Sequence, residues 1–113
     1  MRKYRNKKTK VGGITFDSLA EAARWSELQL LERAGRITDL RRQVVYVLAP
    51  SVKFSGARAA KPAIRFIADF EYFESGARVV EDVKSPVSAK LAAFQIKRHL
   101  MLSIHGIDVR IVV

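Results

Sequence analysis

The sequence predicts an α/β fold in the order α-β-β-β-α-β, a mixed central sheet flanked by helices. Three observations point to it. Apolar residues recur at helical spacing over 18–34 and again over 88–104. Between these spans lie three β-branched or aromatic runs, QVVYVL, AIRFIADFEYFE and ARVVEDVK. The last two runs flank Ser75-Gly76, a hairpin turn signal. The length of 113 residues suits one compact unit, and 49 % apolar content is enough for a core.

Each element has a local reason. The first ten residues, MRKYRNKKTK, include six Lys or Arg and no apolar run, so 1–10 reads as a flexible basic arm before a domain at 11–113. KVGGITF reads as a small hairpin about Gly12-Gly13. Ser18 is a good N-cap, with Glu21 three residues on as in a capping box. Leu19, Ala22, Ala23, Leu28, Leu30, Leu31 and Ala34 form the apolar stripe of helix 18–34, which Gly35 stops. Gln43 to Leu48 is a strand that ends at Pro50. Residues 51–61 are small and basic, an exposed loop with room for a short strand at Val52–Phe54. Strands follow at 63–74 and 77–84, the second closed by Pro86. Ser88 caps the second helix, whose apolar face is Leu91, Phe94, Leu100, Met101 and Ile104. Gly106 ends it, and 107–112 is the final strand.

Composition narrows the function. Cysteine is absent, which excludes a disulfide framework and a thiolate metal site. His99 and His105 alone cannot form a histidine-rich metal cluster. No apolar run approaches the roughly 20 residues that span a bilayer, and the N-terminus lacks the apolar segment of a signal peptide. A soluble, intracellular protein is expected. Lys and Arg number 21 against 11 Asp and Glu, a net charge of +10. The expected partner is a polyanion, because cations that neutralise phosphates release counterions.

Against that charge, the acids of the 63–84 hairpin stand out. If Ser75-Gly76 is a two-residue loop, Glu74 faces Ala77 and Asp69 lies opposite Asp82. Directly opposed residues have Cβ atoms roughly 4.5–5.5 Å apart. Lys84 shares their face, together with Ile67, Glu71, Phe73, Arg78 and Val80. Glu81 points to the other side with Phe66, Ala68, Phe70, Tyr72, Val79 and Val83. Opposed carboxylates repel and need a cation. Either a hard divalent ion supplies it, or the acids face solvent and pair loosely with Lys84 and Arg78. Trp25, Phe66, Phe70 and Tyr72 read as core residues.

The pattern Asp69, twelve residues, then Asp82-Val83-Lys84 resembles the D…(D/E)xK signature of the PD-(D/E)xK nucleases. The element order over 18–112 is similar to that superfamily's restriction-endonuclease-like αβββαβ core. Within it, NKKTKVGGITFDSLAEA, LLERAGRI, FIADFEY and VVEDVKS look like a family of small phage proteins, and the likeness covers nearly the whole chain. Ala68 stands where the superfamily's signature proline would be.

The resemblance implies a metal-dependent DNA endonuclease, structure-selective on branched DNA such as a Holliday junction. Asp69, Asp82 and Glu21 would hold Mg²⁺ or Mn²⁺, with the Val83 backbone carbonyl as a further ligand, and Lys84 would orient the attacking water. Glu21 has two readings here, metal ligand or capping-box residue. Glu27 is turned about 240° away and cannot share its site. Gln95 and Lys97 are expected to face the site from the second helix, or else to lie on a solvated face. Arg2, Lys3, Arg5, Lys7, Lys8, Lys10, Arg41, Arg42 and the 51–61 loop would hold the DNA backbone. A homodimer without membrane contact, in the cytoplasm of a phage-infected or lysogenic bacterium, is the expected setting. The alternatives are a nicking or end-processing nuclease, or a nucleic-acid-binding protein that keeps the fold without catalysis.

Overall fold

The computed structural model describes residues 8–113, so the expected DNA contacts Arg2, Lys3, Arg5 and Lys7 lie outside the described residues. The chain runs β1 (Thr9–Val11), β2 (Ile14–Phe16), α1 (Leu19–Arg33), β3 (Thr38–Ala49), β4 (Ile64–Glu74), β5 (Ala77–Val83), α2 (Pro86–Ala89), α3 (Ala92–His105) and β6 (Arg110–Val112). β1 and β2 form a separate small hairpin, and strand already begins at Thr9, inside the span expected to be arm. The main sheet has the order β3-β4-β5-β6. Its pairs are antiparallel except β5 with β6, so the architecture is mixed α/β.

α1 forms as its caps dictate. The Ser18 Oγ accepts from the Glu21 amide at 3.1 Å, and Gly35 follows in a left-handed conformation at φ +75°. Leu28 and Ala22 are buried, but Leu19 and Leu30 of the expected stripe are 63 % and 59 % exposed. The burying face of α1 is narrower because Trp25 covers the ground beside it, stacked on Phe70 at 5.9 Å.

Three boundaries differ from expectation. β3 begins at Thr38, not Gln43. The charged stretch Asp39 to Arg42 has no strand signal of its own; pairing of Thr38, Arg41 and Arg42 with β4 draws it into the sheet across an irregularity at Asp39, which has φ +53°. The helix expected over 88–104 is two pieces. Ser85, not Ser88, caps α2, its Oγ accepting from the Ser88 amide at 3.0 Å, and Pro86 takes the first helical position. The chain extends at Leu91 before α3 starts. The last strand shortens to Arg110–Val112. Residues 51–61 form the expected exposed loop, closed by a single bridge from Val52 to Lys61.

Two apolar clusters lie on the two sides of the sheet. One joins Leu28, Ile37, Phe70 and Tyr72 beneath α1. The other joins Leu48, Phe66, Ala68, Val80, Phe94, Met101 and Val109 beneath α3. This corrects the expected faces: Phe66 and Ala68 pack with Val80, not with Phe70 and Tyr72. Residues two apart in a regular strand share a face, so β4 changes face between Ala68 and Phe70. β3 does the same. Leu40 packs under α1, whereas Tyr46 and Leu48 pack under α3. The residue between, Gln43, has φ +53°, and the β3–β4 ladder pairs Arg42 with Phe70 and Val44 with Ala68 but skips Gln43 and Asp69.

The β3–β4 pair is also longer than the sheet. β4 pairs with β5 only over Phe70–Glu74, while its pairing with β3 runs on to Ile64. The ribbon therefore diverges from β5 at Asp69, and a cleft opens there between the ribbon and α2–α3.

Candidate active site

The hairpin register is the expected one. Ser75 and Gly76 both take positive φ, +52° and +79°, and Glu74 pairs with Ala77. Regular pairing ends at Phe70 with Glu81. One step further, side chains replace the ladder. The Asp69 amide donates to Asp82 Oδ1 at 3.0 Å, and the Val83 amide donates to Asp69 Oδ2 at 2.8 Å. Each aspartate thus braces the strand opposite, at the point where the strands part. Lys84 Nζ lies 2.9 Å from Asp82 Oδ2 and 4.8 Å from the Phe94 ring centre. Arg78, the other cation considered for these acids, lies over Phe73 instead.

The electrostatics mark a strongly acidic spot. Asp82 is 2 % exposed. Burial pushes the Asp69 carboxyl up to about 8, with the Asp82 charge and then the Glu21 charge adding to it. Glu21 is raised as well, first by burial, then by Asp17, with Asp82 a smaller contributor; Arg42 and the Asp17 backbone pull it down. Glu21 therefore stands within electrostatic reach of both aspartates. Its carboxylate accepts from Gln43 Nε2 at 3.4 Å. Among the described residues, no three of His, Cys, Asp or Glu are gathered closely enough to hold a metal ion. The expected trio is a joined pair, Asp69 and Asp82, with Glu21 turned to Gln43.

Glu81 faces away, as its register requires, and serves the fold. Arg24 of α1 grips it with Nε at 2.6 Å from Oε1 and a second nitrogen at 3.0 Å from Oε2. The Tyr72 hydroxyl, pushed up to about 12 by burial and then by Glu81, donates to Glu81 Oε2 at 2.7 Å. Arg110 of β6 donates to Tyr72 in turn at 3.2 Å. Glu27 is exposed and pairs with Arg24 at 3.6 Å, outside the acidic spot.

Beside the aspartates, the cleft holds a cavity of about 480 Å³ lined by Arg65, Phe66, Ile67, Asp82, Lys84, Ser88, Leu91, Ala93, Phe94 and Lys97. A smaller one of about 270 Å³, reaching the N-cap Ser18 and Ala20 of α1, shares Lys84 and Ser88 with it. Lys97 lines the same cavity as Asp82 and Lys84. Gln95 does not: it lines a different cavity with Arg98, His99 and Asp108. Phe94 is the buried pivot, and Gln95 and Lys97, one and three residues after it, are separated by roughly 200° around the helix. Arg42 also departs from its expected role. Its guanidinium lies 4.6 Å from the Phe16 ring centre and 5.7 Å from that of Trp25, and its Nε is buried with no hydrogen-bond partner among the described residues. Arg41, Lys8 and Lys10 are exposed.

Sequence reasoning missed Arg65 and Gln43. Arg65 sits in a strand of apolar neighbours and only the divergence of the ribbon shows what it faces. Gln43 offers no local signal, since its partner Glu21 lies 22 residues away.

One protein family, described as a protein of unknown function (DUF1064), matches residues 1–111. The chain belongs to the DUF1064 family. No curated protein and no solved structure matches this DUF1064 chain. Among its described residues, no helix is long and apolar enough to cross a membrane.

Proposed function

We propose that the protein is a metal-dependent endodeoxyribonuclease with a restriction-endonuclease-like core, acting on branched DNA as a homodimer. The observation that carries this reading is the Asp69–Asp82 pair with Lys84 at the mouth of a basic cleft. A buried carboxylate, Asp82, beside a half-buried one, Asp69, that is driven towards protonation, forms a donor set short of positive charge. Mg²⁺ fits such a set, because it is commonly held by one or two carboxylates completed by water and phosphate oxygens. Asp69 and Asp82 would hold it, with Glu21 and the Val83 carbonyl as further donors. Bound there, a divalent ion would supply Lewis-acid stabilisation of the charge on the scissile phosphate and a more acidic water.

The chain's own residues supply the remainder. Lys84, anchored by Asp82, is placed to hydrogen-bond a non-bridging phosphate oxygen or the attacking water. Arg65 and Lys97 stand on opposite walls of the cleft, where flanking phosphates of one strand would lie. Water oxygen bonds to phosphorus, the P–O3′ bond breaks, and the leaving oxygen takes a proton, giving a 5′-phosphate and a 3′-hydroxyl. Selectivity would rest on DNA shape rather than on base reading.

The test pairs binding with cleavage. Four-way junction, nicked, linear and single-stranded DNA are each incubated with Mg²⁺, Mn²⁺ or EDTA, beside Asp82→Asn and Lys84→Ala. Junction cleavage that needs the metal and is lost in both variants is expected. Binding without cleavage in every metal would show a nucleic-acid-binding protein in which the aspartates only brace the hairpin. Preferential cutting of nicked or linear DNA would favour a nicking or end-processing enzyme.

A further inference from the structure

We propose that Gln43 is the positioning residue of the acidic site: its left-handed backbone turns the β3–β4 ribbon opposite Asp69, and its side-chain amide holds the Glu21 carboxylate. The bearing of this on metal binding rests on the nuclease reading; the two structural claims do not.

The backbone claim starts from an outlier. Non-glycine residues at positive φ are uncommon, and a glutamine there inside a twelve-residue strand is held by its surroundings. The position is not random. Gln43 lies opposite Asp69, at the one step the ladder skips between Arg42–Phe70 and Val44–Ala68. At that step both strands exchange faces. Arg42 and Phe70 lie against Trp25 of α1, whereas Tyr46, Phe66 and Ala68 pack with Phe94 and Met101 of α3. A left-handed residue breaks the two-residue alternation of a strand, much as a bulge does. Without the break, Phe66 and Ala68 would stay on the α1 side and leave α3 without its floor. Asp69 is released from the β3 ladder at the same step, and its side chain and amide are free to engage Val83 and Asp82.

The side-chain claim rests on geometry. Gln43 as a residue is exposed, yet its amide reaches Glu21, which is 4 % exposed, at 3.4 Å. Glu21 springs from the first turn of α1, and Gln43 from the middle of β3. Their contact fixes the Glu21 rotamer relative to the turn that frees Asp69, and so links two of the three carboxylates through one residue.

Four substitutions separate the claims. Gly and Asn tolerate the left-handed region; a β-branched residue does not. Gln43→Gly and Gln43→Asn are expected to melt within about 3 °C of the parent, and Gln43→Val at least about 5 °C lower. Equal melting of Gln43→Val and Gln43→Gly would overturn the backbone claim. In ¹⁵N spectra of the metal-free protein, the Gln43 side-chain amide signals should move markedly in Glu21→Gln. No movement would overturn the side-chain claim. Titration calorimetry with Mn²⁺ then reads the role. Gln43→Gly should weaken binding by about 10-fold or more, as loss of groups that orient metal ligands does. It should add little in a Glu21→Gln background, because both act through one contact. Additive losses would show that Gln43 does not work through Glu21. A parent protein that binds no Mn²⁺ would sink the metal reading, while the melting and spectral results still decide what Gln43 does.

Discussion

Asp69 carries a pH signature of its own. Its unfolded value is near 3.8 and its folded value about 8, so the folded protein keeps a proton that the unfolded chain loses between them. The resulting stability is full below pH 3.8, declines as pH rises and is gone above about 8. Metal-free protein should therefore melt progressively lower from pH 5 to 8.5, and Asp69→Asn should flatten that slope. A parent slope of the opposite sign in this window would mean that the folded carboxylate is ionised. Saturating Mn²⁺ should remove the decline, because the ion stabilises the charged form. On the other face, Glu81 is wholly buried and its charge is met by Arg24 and Tyr72. Arg24→Ala leaves that carboxylate unpaired and should cost about 3–5 kcal/mol in urea unfolding. Register alone distinguishes Glu81 from Asp82, its neighbour in sequence, and register was readable from Ser75-Gly76.

Among the elements, the β4–β5 hairpin depends on its turn. Gly76 has φ +79° and open space where a Cβ would stand, so Gly76→Ala meets no clash and only backbone strain. The expected loss is about 1–2 kcal/mol, measurable by denaturant unfolding. α1 depends on Ser18 in the same local way, and Ser18→Ala should cost about 1 kcal/mol. Caps and turns of this kind were legible because the groups involved lie within three residues of each other. The helix expected over 88–104 shows the limit of such reading. Both Ser85 and Ser88 are good caps, and apolar spacing continues past Leu91 where the chain extends. The break between α2 and α3 shows only in the fold, where the extended Leu91 lines the cleft.

For the whole molecule, the +10 charge is the property that bears on binding. If DNA lies in the cleft, Arg65→Ala and Lys97→Ala should each lower the slope of log affinity against log salt by about 1, with no change in the fold. Removing residues 1–7 deletes Arg2, Lys3, Arg5 and Lys7 and should lower it by as much as about 3–4. An unchanged slope after that deletion would mean that these cations touch no phosphate. Anisotropy titrations in EDTA measure binding without cleavage and keep this test apart from catalysis.

The residues alone were enough for the α/β class, the α1 cap, the hairpin register, the Asp69–Asp82–Lys84 grouping and the turn of Glu81 away from the aspartates. Each follows from contacts close along the chain or from strict alternation beyond a defined turn. The start of β3 at Thr38, the packing of Arg42 on Phe16 and Trp25, the divergence of Gln95 from Lys97, and the place of Arg65 needed the assembled fold. So did the face change at Gln43 and Asp69, because an exception to alternation has no mark in composition. It arises where one ribbon must satisfy two layers, α1 on one side and α3 on the other, and that demand exists only once both helices are in place.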